Sequence, residues 1–371
     1  MLTWLEIDAR AIKYNLKQFR RLIGRKVLLM PVIKANAYGH GFLEVAKICS
    51  RSREVDRICV VNLDEALELI KNKIKKPIQI LSFYELDKQK ISAAVKRNVI
   101  FPVYSISQAN FLNKVGEGLH NKIKIHIKVD TGAARLGIMS SEVLNFVKKI
   151  TKFKNLEIEG IFSHFASSEE DKIFTEHQLK IFDKIVQDLE KIGLKIPIKH
   201  FACSAASVLY TQSHFNAIRL GVSLYGLYPD ELSRKKIALK PALSWFTKVV
   251  QVKTVPAWTK IGYGGSYTTK ETTKLAILPV GYYDGYDRRL SNNSEVIING
   301  VKCPVRGRVC MNLLIIDATS VKNIKPGDRV VLVGKENQHS ITIDDLARRI
   351  NSINYEIVDR INPLLPRVIK Q

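Results

Sequence analysis

Apolar positions along the chain fall into two textures. Up to about residue 230, short apolar runs alternate with longer stretches whose apolar residues recur at helical spacing. The runs are 27–33, 57–61, 78–81, 99–103, 123–129, 157–162, 199–202 and 217–220. Residues 3–7 alternate like a short strand. Asp8 is placed to cap a helix whose buried stripe is Ile12, Leu16, Phe19 and Ile23, with Gly24 ending it. Leu179, Phe182, Val186 and Leu189 form the clearest of the later stripes. Strand–helix units repeated this regularly predict a (β/α)8 TIM barrel rather than an open sheet. Beyond residue 230, a charged linker at 233–240 leads into short runs separated by turns: 245–255, 274–280, 295–298, 301–305, 313–316 and 329–333. Asn299-Gly300 signals a two-residue hairpin, and a helix is expected near 343–350. The expectation is α/β: a barrel over 1–235, then a mainly-β C-terminal domain over 236–371 with which the first few residues can pair.

One run carries more than packing information. In 123–129, Ile123, Ile125, Ile127 and Val129 share one face, and Lys124, His126 and Lys128 share the other. With the apolar face on the helices, the basic face points into the barrel. Buried cations there require partners or a ligand.

Composition then narrows the classes. The chain of 371 residues is 46% apolar, which supports a sizeable core, and no apolar run is long enough to span a bilayer. The N-terminus has neither a basic region nor an apolar core of the export type. Five cysteines, an odd number with no CxxC pair, argue against a disulfide framework or a metal site, and a reducing cytoplasm is expected. The net charge of +24 raises nucleic-acid binding. However, the lysines are spread singly along amphipathic segments, and clusters such as Arg234-Lys235-Lys236 lack interleaved aromatics. A solvated lysine-rich surface is the better reading, with neither nucleic acid nor membrane as partner.

The chain's chemistry centres on the segment from Val27 to Gly41. A strand-length apolar run delivers Lys34 at its C-terminal end, the end where barrels keep their active sites. A partly desolvated lysine can form a Schiff base with an aldehyde cofactor. In isolation, a surface lysine after a buried strand is an equal reading. The string Lys34-Ala35-Asn36-Ala37-Tyr38-Gly39-His40-Gly41 resembles the cofactor-lysine signature of alanine racemases, and further motifs follow in that family's order. They include Lys128-Val129-Asp130-Thr131-Gly132 with Arg135-Leu136-Gly137, Ser163-His164-Phe165-Ala166, Ser204-Ala205-Ala206, Arg219 to Gly226, Gly262-Tyr263-Gly264, Gly307 to Met311 and Ile353-Asn354-Tyr355-Glu356. The resemblance spans Leu5 to Arg367.

That resemblance implies a homodimer with shared active sites that interconverts L- and D-alanine through a Schiff base with pyridoxal 5'-phosphate, supplying D-alanine for peptidoglycan. Two bases on opposite faces of a planar carbanion are the direct solution to racemisation. Lys34 would serve one face. Tyr263, drawn from the partner subunit, would serve the other, with His164 beside Arg219 as its cationic neighbour. Arg219 would bond the pyridine nitrogen. Ser204, the backbone amides of Gly221 and Val222, and the hydroxyls of Tyr38 and Tyr355 would hold the phosphate. Arg135 and the Met311 amide would meet the substrate carboxylate, a carbamylated Lys128 would position Arg135, and Tyr282, Arg288 and Arg308 would line a narrow entrance. Asn312, Cys203, Ala133-Ala134 and Tyr283 depart from the family's usual residues, and none is a proposed base. The alternatives are a racemase of broader specificity, a decarboxylase of similar architecture and a non-catalytic cofactor carrier. A decarboxylase would need an acid where Arg219 stands, and a carrier would not need the second domain.

Overall fold

The computed structural model describes residues 1–371. The chain packs as two units. One comprises Ala11–Lys34 and Phe42–Lys240; the other comprises Met1–Arg10, Ala35–Gly41 and Pro241–Gln371.

The first unit is a closed parallel barrel. Its strands are Leu28–Pro31, Ile58–Val60, Ile78–Ile80, Phe101–Val103, Ile123–Asp130, Leu156–Phe162, Ile198–His200 and Ala217–Leu220, one in each predicted run. Five parallel ladders join six strands in a row from Phe101–Val103 round to Leu28–Pro31, another joins Ile58–Val60 to Ile78–Ile80, and bridges Val32–Cys59 and Gln79–Ile100 close the ring. Helices return the chain between strands, the longest being Lys172–Lys191, in which Phe182, Val186 and Leu189 of the predicted stripe are buried and Leu179 is half-buried. Asp8 caps helix Ala9–Ile23 through Arg10 N–H, and Gly24 ends it in the left-handed conformation. The expected linker is in part a short helix, Glu231–Lys236, because Asp230 accepts from the backbone N–H of Ser233 and caps it.

The basic face of strand Ile123–Asp130 does turn inward: His126 is fully buried and Lys128 is 5% exposed. Pairing with strand Leu156–Phe162 is regular up to Ile125–Ile158, then jumps to His126–Gly160. Glu159 is the extra, bulged residue, and a bulge re-aims the side chains around it. A Cβ on Gly160 would collide with the His126 ring, so only glycine leaves space for that imidazole.

The second unit is mainly β. Its largest sheet runs in the order Val301–Pro304, Glu295–Ile298, Arg329–Glu336, Leu243–Lys248, Trp4–Asp8, Arg367–Lys370, so the chain's first strand sits among its last. Asn299 and Gly300 form the predicted hairpin turn, both with positive φ. A three-stranded sheet (Gln251–Val255, Thr273–Leu278, Leu314–Asp317) and helices Ile343–Arg349 and Asn354–Asp359 complete the unit.

Candidate active site

Lys34 leaves the barrel where two backbone bonds fix the strand end: Val32 N–H to Leu220 O (2.8 Å) and Ile33 N–H to Cys59 O (3.0 Å). The next four residues, Ala35 to Tyr38, all have φ between 51° and 53°. This is a turn of left-handed helix, a conformation that costs an L-residue roughly 1–2 kcal/mol each. A left-handed turn was not legible there, since alanine and tyrosine disfavour it.

Arg219 lies in the barrel wall, 5% exposed. Nη1 donates to His200 Nδ1 (2.5 Å) and His200 O (3.0 Å), and Nη2 to Ser163 O (2.7 Å), Phe201 O (2.9 Å) and His164 Nδ1 (3.4 Å). All five bonds leave from the two terminal nitrogens, so Nε–H remains for a ligand. Burial lowers its pKa to about 10, which still leaves it protonated at neutral pH.

His164 was expected as a cationic imidazole. In the single chain, burial, then Arg219, Arg135, Lys34 and Lys128, push its pKa well below the usual histidine value, which favours the uncharged ring. The positive charge beside it belongs to Arg219.

Lys128 donates to Leu81 O (2.7 Å), with its ammonium 5.5 Å from the Phe162 ring centre. Burial, with Arg135, Arg219 and Lys34 adding repulsion, brings its pKa down to about 7. The Arg135 loop is tied by one carboxylate: Asp130 accepts the N–H groups of Gly132, Ala133, Ala134 and Arg135 at 2.8–3.2 Å. Against the cost of burial, those four bonds keep Asp130 below the ordinary carboxylate value.

Ser204 Oγ accepts from the backbone N–H groups of Gly221 (2.9 Å) and Ser223 (3.4 Å). Its own proton is thereby left to donate to another group. The Gly221 amide, expected to meet a phosphate, is spent on that hydroxyl. The Val222 amide makes no such bond.

The second unit holds the other candidates. Tyr263 sits in the turn Tyr263–Gly265 and is 72% exposed. With Tyr282, Arg288, Arg308, Cys310, Met311 and Asn312 it lines an open cavity of about 480 Å³. Backbone bonds from Tyr282 N–H to Cys310 O and Tyr283 N–H to Met311 O (both 3.0 Å) join two of its walls. The rings of Tyr38 and Tyr355 lie 6.1 Å apart in the same unit.

Sequence reasoning missed Arg57, Gln79, Glu159 and His200, which bond to one another or to His126 inside the barrel. The inward face of strand Ile123–Asp130 was the available signal; its partners come from separate strands and carry no motif.

A closed barrel with an amine, a lysine and two arginines at the carboxyl ends of its strands, joined in one chain to a β domain, defines a barrel-plus-β enzyme. Residues 7–229 match the family model for the alanine racemase N-terminal domain and residues 242–369 that for the C-terminal domain, so the chain belongs to the alanine racemase family. It is 43% identical to the alanine racemase of Methanococcus maripaludis over 368 residues, covering 98% of each chain. Among solved structures, alanine racemase from Clostridium difficile 630 superposes with a TM-score of 0.94 at 32% identity, covering 100% of this chain and 96% of that one. A histidine racemase from Leuconostoc mesenteroides subsp. sake superposes at 0.90 with 26% identity, covering 100% and 98%.

Proposed function

We propose that this protein interconverts L- and D-alanine with pyridoxal 5'-phosphate as cofactor, acts as a homodimer and supplies D-alanine for peptidoglycan. The observation that supports the reading is the barrel mouth, where the charges of Arg219, Arg135, Lys34 and Lys128 all bear on His164. The donor set suits a phosphorylated aldehyde: a hydroxyl donor at Ser204, the Val222 amide, a spare Nε–H on Arg219 and an amine at Lys34. When bound, pyridoxal 5'-phosphate supplies electron withdrawal from the α-carbon of an amino acid held through its amine.

The chain's residues divide the remaining work. Lys34 takes or returns a proton on one face of the α-carbon, and the partner subunit's Tyr263 does so on the other. Arg219 donates to the ring nitrogen and keeps its proton, because a guanidinium does not give one up near neutral pH. Arg135 binds the substrate carboxylate. Lys128, titrating near neutrality, supplies the unprotonated amine that would add carbon dioxide and release one N–H proton to solvent, and the resulting carbamate anion would offset the cations that otherwise repel one another there. In this assignment the barrel ends near residue 235, and the first strand belongs with the β domain.

Incubation with L-alanine in heavy water, followed by chiral analysis, tests the reading: D-alanine carrying deuterium at the α-carbon is expected, and unexchanged L-alanine would refute it. The histidine racemase likeness motivates a second reading, a racemase of broader specificity. A panel of L-amino acids separates the two by relative kcat/KM.

A further inference from the structure

Beneath the mouth, a chain of buried polar groups runs from Arg219 across the barrel interior. Arg219 Nη1 meets His200 Nδ1 (2.5 Å), His200 Nε2 meets His126 Nδ1 (2.8 Å), and His126 Nε2 meets Glu159 Oε2 (3.0 Å). The two histidines are fully buried.

The proton positions follow from the ends. Arginine only donates, so His200 Nδ1 accepts, its proton sits on Nε2 and points at His126, and the His126 proton sits on Nε2 and points at Glu159. The opposite end is crowded with donors. Arg57 donates through Nη1 to Gln79 Oε1 (3.0 Å), which turns the Gln79 amide nitrogen toward His126 Nδ1 (3.0 Å) and His200 Nε2 (3.3 Å), and Arg57 Nη1 also lies 3.2 Å from His126 Nε2. The Gln79 contact suits an acceptor at His126 Nδ1; the Arg57 contact opposes a proton on His126 Nε2, and the Glu159 carboxylate, which only accepts, decides for that proton.

Glu159 is the only acid in the chain of contacts and is held ionised by Arg57 Nη2 and Lys124 Nζ (both 3.0 Å). Burial opposes ionisation, but the bond from His126 and the charge of Arg57 hold its pKa at about 2. The bulge delivers Glu159, Gly160 makes room for His126, and Phe162 stacks on His200 at 4.6 Å. Three successive features of one strand thus serve one network.

We infer that Glu159, acting through His126 and His200, is a positioning residue that fixes both histidine tautomers and so locks Arg219 as a donor toward the mouth. The inference rests on the proposed pairing of Arg219 with the cofactor's ring nitrogen. If His200 carried its proton on Nδ1, it would oppose Arg219 donor to donor at 2.5 Å, and the guanidinium would shift within the cage left by His200 O, Ser163 O, Phe201 O and His164 Nδ1.

The test uses full-length ¹⁵N-labelled protein, first without cofactor, then loaded with pyridoxal 5'-phosphate. Both histidines should be Nε2–H tautomers in the parent and in Glu159→Gln, whose amide oxygen still accepts. Glu159→Leu should scramble them, shift the bound cofactor's absorption band and lower kcat about tenfold or more with KM nearly unchanged. Unchanged tautomers in Glu159→Leu, or scrambled tautomers with an unaltered band and kcat, would overturn the inference. If Glu159→Leu does not fold, His126→Gln (which can accept and donate) should keep the band that His126→Phe shifts; equal shifts in both would also overturn it. An unaltered band in Arg219→Gln would sink the ring-nitrogen pairing instead, while the cofactor-free tautomers report on the network alone.

Discussion

Lys128 is the residue whose charge the fold opposes most visibly. Burial and neighbouring cations lower its pKa from the ordinary 10.5 to about 7. Between those values the unfolded chain binds the proton that the folded chain releases, so stability rises with pH across that window. Below about pH 7 the full penalty is paid. Lys128→Met should flatten that rise and stabilise the protein by about 1–2 kcal/mol at pH 7, the relieved charge being partly offset by the bond lost at Leu81 O. Thermal melts between pH 7 and 10, in buffers stripped of carbon dioxide, would measure both effects. A parent melt insensitive to pH would contradict the burial argument. His164 is pushed the same way by burial and the same cations, which favours a ring that contributes a lone pair and shape rather than charge.

Two elements hold strain or space that a substitution would expose. Ala35 is exposed and left-handed (φ 52°). Glycine there removes a steric cost of roughly 1–2 kcal/mol but adds unfolded-state freedom worth about 0.4–1 kcal/mol. Ala35→Gly should therefore stabilise by about 0.5–1 kcal/mol, whereas the β-branched Ala35→Val should destabilise, both read from urea unfolding. On strand Leu156–Phe162, Gly160→Ala should cost about 1–3 kcal/mol by overpacking against His126. It should also disturb the histidine tautomers; a variant as stable as the parent would mean that the strand gives way easily.

These elements also mark how far the sequence could be read. Most barrel strands were legible because a strand buried on both faces is written as a local apolar run, and 123–129 was legible through its alternation. The helix stripes and the Asn299-Gly300 turn were equally local. The bulge at Glu159 was not, because register is a relation between two strands. Nor was the left-handed turn after Lys34, where local preference is overridden. Lys34 and Tyr263 were found through their flanking motifs, whereas Glu159 and His200 had only their chemistry to announce them. The inward basic face of 123–129 showed that partners must exist without naming them.

At the scale of the molecule, the proposed chemistry draws its two bases from two copies of the chain. Tyr263 and Met311 are more than half exposed in a single protomer, a costly arrangement for working residues unless another copy covers them. Each copy also carries a net charge of +24, so association of the proposed dimer would work against repulsion that salt screens, and lowering the ionic strength should loosen it. That provides a route to exchange. Lys34→Ala and Tyr263→Phe proteins, each inactive alone, would be mixed at low salt and returned to moderate salt. Random reassociation makes half the dimers hybrid, each with one intact and one doubly altered site, so about a quarter of the parent activity should reappear. Light scattering and differently tagged copies would verify that exchange occurred. Exchange without recovered activity would mean that lysine and tyrosine do not serve one site from two chains, and the proposed division of labour between subunits would fall.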